Sequence, residues 1–122
     1  MKVTVDGKMV HDGICLNVFI ANGQYSGAGM HWTPEAKLDD GLFDVLVVEM
    51  MPRRTIFTSA NKLYDGTFGK LPGVHLFKGK EVTVDSLDDV LLELDGEQPG
   101  LAPLACKIIP RTLNFLVPGV QS

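Results

Sequence analysis

Five Asp-Gly dipeptides, at 6-7, 12-13, 40-41, 65-66 and 95-96, and an Asn-Gly at 22-23 cut this 122-residue chain into short runs. Asp, Asn and above all Gly accept the positive φ that tight hairpin turns demand, so these dipeptides predict frequent chain reversal. Between them lie β-branched and apolar stretches. Lys2–Val5 and residues 8–11 flank the first Asp-Gly, and residues 14–21 follow the second, which predicts a three-strand meander. Residues 14–21 (ICLNVFIA) and 42–49 (LFDVLVVE) are nearly all apolar, as expected of central strands covered on both faces. Residues 74–77 can start a strand, and 80–85 (KEVTVD) alternate so that Val82 and Val84 face one way. Residues 90–95, 105–109 and 112–117 complete the set.

One segment departs from this rhythm. Pro52 can open a helix at its first position, Ile56, Phe57, Ala60, Leu63 and Tyr64 recur at helical spacing, and Asp65-Gly66 would end it. With no further helices to cover a parallel sheet, the chain reads as a single mainly β domain over 1–122, an antiparallel β-sandwich with one short helix.

Charge narrows the function. Eleven basic against fifteen acidic residues give a net charge of −4, which argues against a nucleic-acid binder. No apolar run approaches the roughly 20 residues of a spanning helix, and the first residues lack a secretory apolar region, so a cytoplasmic address is expected. Cys15 and Cys106, with no CxxC, are expected as two buried thiols rather than a disulfide.

Three segments could carry chemistry. Asp39-Asp40-Gly41-Leu42-Phe43-Asp44 offers hard oxygen ligands suited to Mg²⁺ or Ca²⁺, although the residues alone favour an acidic turn before a strand. Asp95-Gly96-Glu97 ends an apolar stretch. If that strand continues, the two carboxylates leave one face about 6.5 Å apart, where one can take a proton while the other orients or supports a metal. A plain Asp-Gly turn competes with that reading. Asn22-Gly23-Gln24-Tyr25-Ser26-Gly27-Ala28-Gly29-Met30 allows close backbone approach, or forms a hairpin with a bulge; it lacks the Gly-Lys-Ser/Thr of a phosphate loop. His11, His31 and His75 are too dispersed for a metal site. Met30 and Trp32, on one strand face, suit the core better than a lipid, and Arg53 and Arg54 suit solvent or an anionic partner.

The order of these segments is more specific than any one of them. Asn22-Gly23-x-Tyr25-x-Gly27-x-Gly29-Met30 leads to Pro34-x-Ala36-x-Leu38-Asp39-Asp40-Gly41-x-x-Asp44, then to Leu94-Asp95-Gly96-Glu97, then to Ile109-Pro110-x-x-Leu113-x-Phe115-Leu116-Val117-Pro118. From about residue 3 to 118 the chain closely resembles the C-terminal half of the soluble bacterial diacylglycerol kinases and the related sphingosine-kinase-like lipid kinases. The resemblance implies a β-sandwich that closes a cleft against an N-terminal α/β domain, which binds ATP through a Gly-Gly-Asp-Gly-type loop. No such loop occurs in these 122 residues, so the ATP-binding domain is expected to be absent and the chain alone inactive.

Carried over by residue, the resemblance makes Glu97 the general base toward a lipid hydroxyl, with Asp95 flanking it in the cleft. Asp40 becomes the side-chain ligand of a structural Mg²⁺, the backbone carbonyls of Lys37 and Leu42 completing the protein ligands, and water links this loop to the two acids. The family usually has a run of glycines where this chain has Gly27-Ala28-Gly29. The implied partners are ATP, a membrane lipid such as diacylglycerol and the chain's own ATP-binding domain, at the inner membrane face. Exposed sandwich edges also allow a homodimer. The alternative is a non-catalytic β-sandwich binding or regulatory module.

Overall fold

The computed structural model describes residues 1–112. In chain order the elements are β1 (Lys2–Val5), β2 (Lys8–Asp12), β3 (Cys15–Ala21), β4 (Tyr25–Ser26), β5 (Met30–His31), β6 (Phe43–Glu49), α1 (Arg53–Thr58), α2 (Lys62–Asp65), a 3₁₀ turn (Phe68–Lys70), β7 (Val74–Gly79), β8 (Glu81–Asp85) and β9 (Leu104–Lys107). Two sheets form, one ordered β2-β1-β8-β9 and one β3-β6-β7, with β4 and β5 pairing by themselves. Every pairing is antiparallel.

Strand alternation explains why the sheets stack. Val3 and Val5 of β1 and Val82 and Val84 of β8 point inward against Val45 and Val47 of β6. The opposite face of β6 turns Leu46 and Val48 toward Phe68 and Val74, with Phe19, Trp32, Met51, Leu63 and Leu71 around them. Trp32 stacks on Phe19 at 4.2 Å and meets Phe68 edge-on at 5.3 Å, so it serves the core. Strand β6 is therefore the middle of three layers, as its apolar run predicts. Each fully buried Val or Leu there contributes about 1.5–3 kcal/mol relative to exposure.

Four expectations need correction. First, the meander does not form: β1 pairs with β2 and β8, whereas residues 14–21 enter the other sheet as β3. Gly13 closes on Met1 through two backbone hydrogen bonds, which ends the first hairpin and sends the chain across the sandwich. Second, among the described residues β3 stands at the edge of its sheet, with Leu16 46% exposed. Third, the single helix is two short ones, α1 and α2, with Pro52 as the N-cap of α1 rather than its first residue. Gly66, at φ 79°, ends α2 in the left-handed conformation. Fourth, residues 90–95 form no continuous strand; they pair through the isolated bridges Leu91–Leu101 and Leu94–Glu97, with the Leu92 N–H donating to the Gly100 carbonyl and the Ala102 N–H to the Val90 carbonyl. The expected strand at 112–117 lies almost wholly outside the described residues.

The corner where β7 passes into β8 ties the sheets together. Asp6 and Gly7 both take positive φ, 50° and 78°, as a two-residue hairpin turn requires. The Asp6 carboxylate accepts the N–H groups of Lys80 and Glu81 at 2.8 and 2.9 Å. Those backbone donors hold its carboxyl below the ordinary 3.8. Gly79 is needed at this corner because a Cβ there would overlap Val5 Cγ1. Cys15 and Cys106 are free and half-buried, and burial pushes both thiols above their ordinary 9.0.

Candidate functional site

The glycine-rich segment and the acidic loop are bound into one unit. Thr33, buried at 1% exposure, donates from Oγ1 to the Gly23 carbonyl at 2.8 Å. Gln24 Nε2 donates to the Ala36 carbonyl at 3.0 Å, and its Oε1 lies 3.2 Å from His31 Nε2. The Ala36 N–H donates to the Thr33 carbonyl at 3.0 Å. Residues 22–31 thus form the expected hairpin, and that hairpin supports the turn leading to Asp40.

At the loop itself, Gly41 takes φ 68° and Asp40 Oδ1 accepts the Leu42 N–H at 3.0 Å. This side-chain turn places Lys37, Asp40 and Leu42 on one short loop and leaves Asp40 Oδ2 for another partner. Among the described residues no three His, Cys, Asp or Glu side chains gather for a metal. The expected ligand set has only one such side chain, however. One carboxylate oxygen with two backbone carbonyls is an all-oxygen donor set, which fits Mg²⁺, an ion that keeps several waters.

Asp44, which follows the loop, is only 2% exposed at the start of β6. Its cross-strand neighbour is Lys78, whose Nζ lies 3.3 Å from Asp44 Oδ1 and also donates to the Glu35 carbonyl at 3.2 Å. Among the described residues Asp44 Oδ2 is buried without a partner. The pair lines a cavity of about 170 Å³ with Thr33, Glu35, Leu76 and Phe77. Sequence reasoning placed Asp44 in the acidic cluster that offers oxygen ligands, but it did not foresee the pairing with Lys78. The available signal was an acid at the third position of the apolar run 42–49, which has to find a cation once that strand is central.

Asp95 and Glu97 lie elsewhere, at the tip of an exposed hairpin. Leu94 and Glu97 exchange backbone hydrogen bonds of 2.7 and 2.9 Å, and Asp95 and Gly96 take φ 49° and 84° between them. The chain reverses at 95-96, so the same-face argument for two acids on a continuing strand does not hold. Both acids are exposed, not buried under the sandwich, and Leu91 and Leu94 are also exposed beside them. Among the described residues no direct hydrogen bond joins this hairpin to the Asp40 loop. Pro110 lies close to that loop, since a Cβ at Gly41 would sit 3.6 Å from Pro110 Cβ.

Two stacked antiparallel sheets, a covering helical segment and an acid-bearing hairpin define a β-sandwich-like domain. A family model described as the YegS C-terminal NAD kinase beta sandwich-like domain matches residues 1–117, and the chain belongs to that family. A diacylglycerol kinase of Staphylococcus aureus is 30% identical over 121 residues, 97% of this chain and 37% of the relative. One from Staphylococcus saprophyticus is 40% identical over 73 residues, 57% of this chain and 23% of the relative. A crystal structure of a candidate diacylglycerol kinase from Bacillus anthracis superposes at TM-score 0.71 and 24% identity, over 89% of this chain and 37% of that one. That last likeness concerns the fold. The chain spans little more than a third of the longest of these matches.

Proposed function

We propose that this chain is the C-terminal half of an ATP-dependent lipid kinase that phosphorylates a membrane lipid alcohol such as diacylglycerol. The observation that carries the reading is a relative named diacylglycerol kinase matching 97% of the chain. The order of motifs from Pro34 to Glu97 supports it independently. ATP is bound mainly by an N-terminal domain of the kind these longer relatives leave room for, and the 122 residues alone are inactive. The enzyme works in the cytoplasm, at the inner face of the membrane that holds its substrate.

In this reading Glu97 takes the proton from the lipid hydroxyl as its oxygen attacks the γ-phosphorus of ATP, and ADP leaves. Asp95 flanks the base at the hairpin tip. The exposed position of both acids suits a cleft whose opposite wall is the ATP-binding domain. Asp40, with the Lys37 and Leu42 carbonyls, would hold Mg²⁺, which supplies fixed positive charge to order the acidic 37–44 loop.

The metal assignment has its own test. Asp40→Asn keeps an acceptor for the Leu42 N–H but removes the charge. At a concentration 100 times Kd, Mg²⁺ stabilises a protein by about 2.7 kcal/mol. The variant is expected to lose most of that stabilisation in thermal unfolding with and without MgCl₂. An equal shift in parent and variant removes Asp40 from the ligand set.

The function is tested with the complete polypeptide, ATP, Mg²⁺ and a panel of lipid alcohols in mixed micelles. Transfer of the γ-phosphoryl group to at least one lipid hydroxyl is expected. A folded, ATP-binding polypeptide that phosphorylates none of them overturns the reading and favours a non-catalytic module.

A further inference from the structure

Acidic residues are spread through this chain, yet none of the fifteen falls between Met50 and Tyr64, where Arg53, Arg54 and Lys62 lie. The same stretch carries exposed apolar groups: Met50 is 63%, Ile56 38%, Phe57 80% and Tyr64 60% exposed. Helix α1 buries none of its residues, and no acidic side chain stands in its first turn beside Arg53 and Arg54. Among the described residues none of the three cations enters an ion pair. The positive end of the α1 backbone dipole therefore adds to two arginines rather than offsetting them.

We infer that the segment from Met50 to Tyr64, through its exposed Met50, Arg53, Arg54, Phe57 and Tyr64, docks on an anionic lipid bilayer. Its charge opposes that of the rest of the chain and complements acidic headgroups, which draw basic segments to the membrane surface. Phe57 and Met50 are the kind of side chains that enter the boundary between headgroups and acyl chains, and the Tyr64 ring suits the headgroup level. A nucleic acid, the other common anion, is disfavoured by the net charge of −4. The location is also apt. Gly66, which ends α2, lies so close to His31 and Pro34 that a Cβ there would come within 2.9 Å of His31 Nδ1 and 3.5 Å of Pro34 Cβ. The docking segment therefore leans on the turn that leads to the Asp40 loop.

The inference rests on the lipid-kinase reading for its purpose, but its test needs no turnover. The full chain is sedimented with vesicles of phosphatidylcholine alone and of phosphatidylcholine with 30 mol% phosphatidylglycerol (about a third anionic lipid, enough to set a negative surface potential). Preferential binding to the anionic vesicles is expected, weakening with salt. Arg53→Glu with Arg54→Glu should lower that partitioning by about tenfold or more, Phe57→Ser should lower it on both vesicle types, and Arg53→Lys with Arg54→Lys should preserve it. These side chains are exposed, and an unchanged circular dichroism spectrum confirms the fold of each variant. No anionic preference, or full binding by the charge-reversed variant, overturns the proposal. Vesicle binding through this segment by a folded, ATP-binding complete polypeptide that phosphorylates no lipid would sink the kinase reading and leave the docking surface standing. Lipid phosphorylation with vesicle binding indifferent to Arg53 and Arg54 would do the reverse.

Discussion

Glu97→Gln in the complete polypeptide is expected to lower turnover on a lipid alcohol by about a hundredfold or more, the usual contribution of a positioned general base. The substitution is clean because the hairpin does not depend on the Glu97 side chain. Only its backbone N–H and C=O bond to Leu94. The side chain is exposed, so unfolding stability should stay within about 0.5 kcal/mol of the parent. Asp95→Asn is the matching control. Asn tolerates the φ of 49° that Asp95 adopts, so the turn survives while the flanking charge is removed. Steady-state kinetics on the two variants separates the roles: a fall in kcat at constant KM marks an interaction made in the transition state. Near-parental turnover in Glu97→Gln would remove the base assignment and leave the family membership untouched.

The fold was legible where the physics is local. An apolar run of LFDVLVVE composition has to be covered twice, and β6 is. KEVTVD alternates, and Val82 and Val84 duly enter the core. The Asp-Gly dipeptides promised positive φ, and Gly7, Gly41, Gly66 and Gly96 have it, whereas Gly13 does not. What they could not convey was the geometry around that φ. At 6-7 and 95-96 the pair makes a two-residue hairpin, at 40-41 a side-chain turn, and at 65-66 a helix end. At 95-96 the turn that the dipeptide itself favoured is the one observed, and it removes the same-face argument for Asp95 and Glu97, which required the strand to continue.

Pairing between distant segments was not legible. Residues 14–21 look as apolar as 42–49, but a strand is central only if two neighbours reach it. Among the described residues β3 has one partner and β6 has two. The pairing of Asp44 with Lys78 was invisible for the same reason. They are 34 positions apart and meet only because β6 and β7 pair in the register that sets them opposite. The two halves of the candidate site divide along this line. Lys37, Asp40 and Leu42 share one loop and were carried over together by the family resemblance, whereas any path from that loop to Glu97 depends on long-range placement.

Lys78→Met is expected to destabilise the domain by about 2–3 kcal/mol, below the 3–5 kcal/mol for breaking a fully buried ion pair. Asp44 is buried and its Oδ2 already lacks a partner, so removing the ammonium 3.3 Å from Oδ1 leaves a carboxylate with no compensating charge there. The Lys78 side chain is 40% exposed, so water can follow it inward, which sets the lower end of the range. For a chain of this length the loss corresponds to a fall in Tm of about 10 °C. Asp44→Val combined with Lys78→Met should recover most of it, because the buried charge goes with its partner and a β-branched residue suits a central strand. That double variant still lacks the Lys78 bond to the Glu35 carbonyl, which anchors the segment running into the Asp40 loop. Amide hydrogen exchange across residues 35–42 should therefore remain faster than in the parent even where stability is restored. Equal exchange in parent and double variant would make the pair a matter of stability alone. A single variant as stable as the parent would show that water inside the cavity of about 170 Å³ already screens the carboxylate.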